Sequence, residues 1–272
     1  MKSRELAQNF LRNPRTARRL VELADGPDGA LRIDLGAGKG AITKAALTRG
    51  DRVLAIEKDD RLVRELTQRL GSNPALEICH GDLLDVQPPP EPYVCVGNPP
   101  FNISTQLVRR WMTTEQFISG AIIVEREFGR RIIGHYGTTK LSASLGAFLS
   151  MQVVGSLRPT DFQPQPRVHV AIMTAARLER PLVPWRQQRA YWLFVNYLFE
   201  RSRLTVGASL AELRVPGLAR SLADQPLRDA SIEDIAWLFH HVRKHNGNRW
   251  ARIESFERRL PSNRRALDPG PE

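Results

Sequence analysis

Only two cysteines occur in 272 residues, Cys79 and Cys95. Two thiols cannot build a disulfide framework, and neither stands in a Cys-x-x-Cys pair or beside a histidine-rich tract, so a disulfide-stapled fold and a zinc site are both excluded. Both lie in apolar phrases, LEICHGD and YVCVGN, which suit small buried hydrophobes in strands. Long apolar runs are missing too. Charge or proline interrupts each one well short of the roughly 18 residues a membrane helix needs, and Met1-Lys2-Ser3-Arg4-Glu5 is not followed by a signal-like apolar core. A cytoplasmic protein with no membrane contact and no metal is expected. Lysine is scarce as well, at six of the 40 basic residues. The rest are arginines, whose planar fork suits phosphate.

What is abundant is positive charge, a formal net +11, which makes a polyanion such as nucleic acid the leading class of partner. At 42% hydrophobic residues the chain can build one large or two modest domains. The segment Met1–Ala24 sets six basic residues against two acidic ones, with Phe10, Leu11, Leu20 and Leu23 spaced for one buried face. It reads as a loop-helix arm whose Arg15 and Arg18 are candidate phosphate contacts.

From Ala30 to about Arg177 short apolar runs alternate with helical patterns, which predicts an α/β fold with a mostly parallel sheet covered on both faces. The last two runs, FLSMQVVGSL and VHVAIMTAA, have no helix between them and suggest an antiparallel edge hairpin. After the proline-marked stretch ERPLVPWRQQR strand patterns stop. Tyr191–Phe199 and Ile232–Val242 carry helical spacing, with Ser231 and Asp234 as a capping box opening the second, and the end from Pro261 reads as frayed. The expected domains are residues 1–178 and a basic all-helical 179–272.

The chemistry concentrates in four places. Asp34-Leu35-Gly36-Ala37-Gly38-Lys39-Gly40 follows a predicted strand and opens a predicted helix, where glycines such as Gly36 and Gly38 let a ligand approach the backbone. Glu57 ends the second strand, where two carboxylate oxygens can accept from both hydroxyls of a ribose; nicotinamide dinucleotides satisfy these two features equally well. Asp82 follows the third strand and can accept from an adenine amine. Asn98-Pro99-Pro100-Phe101 follows the fourth, and a dehydrogenase has no use for it. An amino group conjugated to a base is a poor nucleophile, and the Asn98 oxygen with the next carbonyl, that of Pro99, can accept both its protons while Phe101 stacks on the ring.

The series DLGAGKG, IEKDD, GD and NPPFN, preceded by Gln8-Asn9-Phe10-Leu11 and followed by NISTQLVRR and FQPQPRVHVAIM, resembles the rRNA adenine N6-methyltransferases. These comprise the KsgA-type dimethyladenosine transferases and the Erm macrolide-resistance enzymes. His169 stands where that last segment usually has Asp or Asn. The resemblance implies a Rossmann-like S-adenosyl-L-methionine-dependent domain followed by a small C-terminal all-helical domain. It also implies that Asn9 and Leu11 close over the donor, that Gly36 and Gly38 line it, that Glu57 takes its ribose and that Asp82 takes its adenine. Asn98 and Phe101 then belong to both methyl donor and target base, so that Asn98 is cofactor-binding as well as catalytic, with Pro99 catalytic beside them. Phe101 in place of the more usual tyrosine resembles the Erm branch of antibiotic producers.

The expectation is a monomeric enzyme methylating adenine N6 in 23S rRNA and giving macrolide-lincosamide-streptogramin B resistance. Its alternatives are a KsgA-type small-subunit enzyme, a DNA adenine N6-methyltransferase and a non-catalytic RNA-binding assembly factor. Arg109 and Arg110, just after the tetrad, join Arg15 and Arg18 as expected RNA contacts. The scattered His80, His135 and His169 read as surface or strand residues, and Trp185, Trp192, Trp237 and Trp250 as packing of the helical domain.

Overall fold

The computed structural model describes residues 9–201, 205–245 and 249–260. Gln8, the arm cations Lys2 and Arg4 and the end from Pro261 lie outside the described residues. The chain forms two compact units. One runs up to Gly129 and includes Ser150–Arg177; the other joins Arg130–Leu149 to the chain from Leu178.

The strands of the first unit, in chain order, are β1 (Phe10–Leu11), β2 (Leu31–Leu35), β3 (Arg52–Glu57), β4 (Leu76–His80), β5 (Tyr93–Gly97), β6 (Phe117–Glu125), β7 (Leu149–Ser156), β8 (Phe162–Gln163) and β9 (Val170–Arg177). Seven make one sheet, ordered β4-β3-β2-β5-β6-β9-β7, while β1 pairs antiparallel with β8. From β4 to β6 all neighbours are parallel, and β9 is antiparallel to β6. The two adjacent strands expected at the edge are therefore β7 and β9, with β9 the inner one.

Every residue of β2 and β5 is buried, as strands covered on both faces require. Cys95 in β5 accordingly lies fully buried, and burial pushes its thiol pKa up, which makes it a poor nucleophile. Cys79 departs from expectation: it is only half-buried, because β4 is the outermost strand.

Helices α1 (Pro14–Leu23), α2 (Ala41–Arg49), α3 (Asp60–Leu70), α4 (Ser104–Trp111) and α5 (Arg126–Ile132) follow strands or loops of this sheet. Local chemistry sets their starts. The Asn13 side chain accepts from Arg15 N and Pro14 fills the first turn of α1, while Asp59 accepts from Arg61 N and Leu62 N at the head of α3. In α1 the buried residues are Thr16, Ala17, Leu20 and Val21, which leaves Arg15 and Arg18 on the exposed face. Register then assembles the site. Gly97 is paired with Leu35, and a Cβ on Gly97 would fall 2.6 Å from the Leu35 carbonyl, so only glycine lets the end of β5 run this close to β2.

The second unit contains α6 (Lys140–Gly146), α7 (Gln188–Glu200), α8 (Val206–Leu210), α9 (Arg220–Ala223), α10 (Ile232–His245) and α11 (Trp250–Arg259). The boundary expected at 178 is one of its edges. Residues 130–149, read from sequence as part of the first domain, differ, because α6 is bonded to α7. The Tyr191 hydroxyl donates to the Ala143 carbonyl (3.1 Å), Trp192 Nε1 donates to that of Ser144 (2.9 Å), and Lys140 Nζ donates to Asn196 Oδ1 and Glu200 Oε1 (3.0 and 2.6 Å). The Ser231–Asp234 capping box is present in both halves. Trp192 and Trp250 are buried and Trp185 packs on Phe148, but Trp237 is 45% exposed and stacks on His241, so it does not share the packing role expected of all four. Among the described residues no helix is long and apolar enough to cross a membrane.

Candidate active site

The carboxyl ends of β2, β3 and β5 and the turn after β4 converge on a cleft of about 290 Å3, close to the lower end of ordinary small-molecule sites, roughly 300 Å3 and up. Asn9, Leu11, Gly36, Gly38, Glu57, Asp82, Asn98, Pro99 and Phe101 all line it. The structure thus brings together residues separated by up to 92 positions in the chain.

The loop after β2 turns through Gly36 and Gly38, both with positive φ (80° and 53°). A Cβ on Gly36 would meet Pro99 Cα at 3.6 Å, and one on Gly38 would press on Phe10 at 3.2 Å. Any side chain there would occupy the space between the loop and the tetrad. Behind the loop Asp34 is fully buried; its Oδ2 accepts from Thr43 Oγ1 (2.6 Å), while Oδ1 has no partner among the described residues. Burial is the main cause that lifts its pKa to about 7, and Glu57 adds to the rise.

Glu57 is held more tightly than its sequence position suggests. Oε1 accepts from Lys58 N and Asp59 N (2.8 and 2.9 Å) and Oε2 accepts from Gly38 N (2.8 Å). Since each oxygen takes about two donors, Oε1 is filled and Oε2 keeps the one open position. The reading of both oxygens facing a ribose is corrected accordingly to one.

Asp82 is also engaged. Its Oδ1 accepts from Leu84 N (2.9 Å) and its Oδ2 from Lys58 Nζ (2.6 Å); these two bonds, Lys58 first, hold its carboxyl below the usual range. Lys58 lines the same cleft. Sequence reasoning passed over it because a lysine after a strand-ending Glu reads as surface charge. Phe10, read from sequence only as part of the arm's buried face, also lines the cleft, where it packs on Gly38 and lies beneath the Lys39 ammonium at 5.1 Å.

The arm reaches the cleft along two sets of bonds. Asn98 Nδ2 donates to the Asn9 carbonyl at 2.6 Å. Further along, Arg12 N donates to the Asp161 carbonyl (2.8 Å) and Asn13 Nδ2 to Asp161 Oδ1 (2.7 Å), beside the β1–β8 pairing. A carbonyl can only accept, so the Asn98 amide must turn its NH2 toward Asn9 and present Oδ1 elsewhere. The carbonyls of Pro100 and Phe101 accept from Ile103 N and Ser104 Oγ.

Of the expected RNA contacts, Arg15 and Arg18 are exposed. Arg110 is not placed for that role: its Nε donates to the Val86 carbonyl and its Nη2 to that of Asp85, both at 2.8 Å, which ties α4 to the loop after β4. Arg109 is half-buried with Nε enclosed, and burial lowers its pKa. Neither side chain is exposed as Arg15 and Arg18 are.

The profile of the ribosomal RNA adenine dimethylase family matches residues 1–241. The chain is 37% identical to an rRNA adenine N-6-methyltransferase of Aeromicrobium erythreum over 66% of its length, and spans 53% of that relative. It is 28% identical to a ribosomal RNA small subunit methyltransferase A of Clostridium perfringens, covering 85% of this chain and 83% of the other. The solved structure of the 23S rRNA methyltransferase ErmE superposes with a TM-score of 0.72 at 26% identity, covering 86% of this chain and all of that one. Enzymes of this kind take their methyl group from S-adenosyl-L-methionine, and the glycine cradle and the open position on Glu57 fit such a donor. With that cleft and that profile match over residues 1–241, the chain belongs to the ribosomal RNA adenine dimethylase family.

Proposed function

We propose that this chain transfers methyl groups from S-adenosyl-L-methionine to the exocyclic N6 of an adenine in 23S rRNA, giving macrolide-lincosamide-streptogramin B resistance, and that it acts as a cytoplasmic monomer. The observation that carries the reading is the Asn98 amide, which lines the cleft and has its NH2 group taken up by the Asn9 carbonyl, leaving Oδ1 as its free acceptor. When bound, the donor supplies an activated methyl group on sulfonium. Gly36 and Gly38 admit it, Glu57 and Asp82 take its polar edges, and Asn9 to Leu11 shield it from water. Asn98 Oδ1 accepts one proton of the target amine and the Pro99 carbonyl the other, which holds the nitrogen lone pair toward the methyl group while Phe101 stacks on the ring. Positioning and exclusion of water supply the rate. The adenine must leave its stack to reach Asn98, which costs a few kcal/mol and is cheapest in irregular RNA.

The large-subunit assignment is supported by Phe101 and by the likeness to ErmE. A small-subunit substrate is the second reading, favoured by the Clostridium perfringens relative. Primer extension across 23S and 16S rRNA, from cells with and without the gene, tests both. A new stop in 23S supports the proposal, and a modification confined to 16S replaces it with the second reading.

Two further results are expected. Glu57→Ala lowers donor affinity roughly ten- to a hundredfold, because a charge-assisted acceptor is lost and Gly38 N loses its partner; unchanged affinity by calorimetry removes Glu57 from the donor site. Arg15→Ala with Arg18→Ala leaves donor affinity alone and flattens the salt dependence of rRNA binding by about 0.7 to 0.9 per lost phosphate contact. Filter binding across a salt series measures it, and an unaltered slope takes the arm out of the RNA surface.

A further inference from the structure

Lys58 lines the cleft beside Asp82, and the proposed chemistry leaves it without a role. It directly follows Glu57, the last residue of β3. Its main chain is held on both sides. The N–H donates to Glu57 Oε1 (2.8 Å), and the carbonyl accepts from Nε2 of His80, the last residue of β4 (3.2 Å). The ring must be the donor there, because a carbonyl can only accept. The backbone thus fixes where the lysine side chain starts, and its ammonium ends 2.6 Å from Asp82 Oδ2.

What that bond does follows from the other partner of Asp82. Oδ1 accepts from Leu84 N, two residues along the same turn (2.9 Å). One bond pins one oxygen and leaves the carboxylate free to swing about it. The second, from Lys58 to the opposite oxygen, fixes its plane. An ionised carboxylate has about four acceptor positions; these two bonds fill two and leave one open on each oxygen. The two groups also hold each other charged. The bond to Asp82 raises the Lys58 pKa, and the bond to Lys58, ahead of that from Leu84 N, lowers the Asp82 pKa. The other charged groups nearby are Glu57 and Lys39 in the cleft wall and Asp85, which adds to the rise at Lys58.

The lysine side chain is 69% exposed and that of Asp82 26%. Such a pair is screened by salt and adds little to stability. Its effect is on geometry, at a carboxylate that faces the donor cleft.

We propose that Lys58 is a positioning residue for the methyl donor, acting through Asp82: it sets the carboxylate so that an open acceptor position meets the amino group of the donor's purine. The inference rests on Asp82 taking that purine, as in the function proposed above. It is tested with the full chain by calorimetry of S-adenosylhomocysteine and adenosine. Neither carries the sulfonium charge, so loss of a positive side chain does not by itself alter their attraction to the cleft. Lys58→Met keeps the stem and drops the ammonium; it is expected to weaken both ligands roughly two- to fivefold at low salt, the range of an exposed ion pair, and to remove most of the salt dependence of binding. Lys58→Arg, which can still bond the carboxylate, should recover most of the loss. In steady-state methylation the donor KM rises by the same factor at unchanged kcat, the mark of a contact made equally before and during the reaction.

In an Asp82→Ala background Lys58→Met should change nothing further, since the lysine then has nothing to set. Asp82→Asn, which keeps an oxygen for Leu84 N, serves as the background if alanine disturbs the turn. Wild-type affinity in Lys58→Met overturns the inference. So does an equal loss in the Asp82 variants, which makes Lys58 a direct contact or a structural one, and so does an arginine variant as weak as the methionine one. If both Asp82 variants keep wild-type affinity, the assignment of Asp82 to the donor fails first, and the role of Lys58 falls with it.

Discussion

Asn98→Ala is expected to reduce the rate of methyl transfer about a hundredfold, a loss of about 3 kcal/mol of transition-state stabilisation, as for removal of one well-placed polar partner in a closed site. The side chain does two things. Its Nδ2 is bonded to the Asn9 carbonyl, and in the proposed mechanism its Oδ1 accepts from the target amine. Alanine removes both, so donor affinity should also drop, but only by a few fold, because Gly36, Glu57 and Asp82 remain. Asn98→Asp separates the two roles. It keeps an acceptor for the amine but sets a carboxylate against the Asn9 carbonyl, two acceptors with no proton between them. It should be nearly as slow as the alanine variant. Single-turnover methylation of an rRNA fragment measures both, and an aspartate variant within a few fold of wild type would show that the bond to Asn9 contributes nothing to the rate.

The second large effect is on stability. Asp34→Asn should stabilise the protein at alkaline pH and give no advantage in acid. The carboxyl of Asp34 has a folded-state pKa of about 7 against 3.8 unfolded. Below 3.8 both states are protonated and burial carries no ionisation penalty. Between these values the unfolded chain has lost the proton that the folded chain keeps, so the contribution of this group falls as pH rises, and above about 7 the penalty is constant. Its full size is about 4 kcal/mol at roughly 1.36 kcal/mol per unit. The asparagine NH2 put in place of the unpartnered Oδ1 returns about 1 to 3 kcal/mol of that as an unsatisfied donor. A net gain of about 2 kcal/mol at pH 8, turning into a net loss of about 2 kcal/mol near pH 4 where only the unsatisfied donor's cost is left, is the expected outcome of urea unfolding at a series of pH values. A gain independent of pH would mean that Asp34 is not the titrating group.

The cleft was readable in the sequence because each of its parts is local. A glycine-rich turn after a strand, an acid at a strand end and a rigid tetrad are set by a few adjacent residues, and the parallel sheet aligns the strand ends whatever the rest of the chain does. Most of the misreadings involve partners distant in sequence. Arg110 looked like a free cation because nothing nearby in the chain shows that the carbonyls of Asp85 and Val86 will lie under it. The helix Lys140–Gly146 went unassigned because its capping box closes with Ser142 rather than a Glu or Gln, and its place among the helices depends on hydrogen bonds from Tyr191 and Trp192. Cys79 and Trp237 have the composition of core residues, and only strand order and helix packing decide that each is partly exposed. Lys58 reads as surface charge until β3 and the turn after β4 bring it to Asp82.

The pairing of β1 with β8 and the bond from Asn98 to Asn9 belong to one short stretch of chain. The carbonyl that orients the Asn98 amide is therefore held just before the strand that lines the cleft. A change that displaced this stretch of chain would break the bond and free the Asn98 amide to rotate, so the position of the arm and the orientation of the amide are set together.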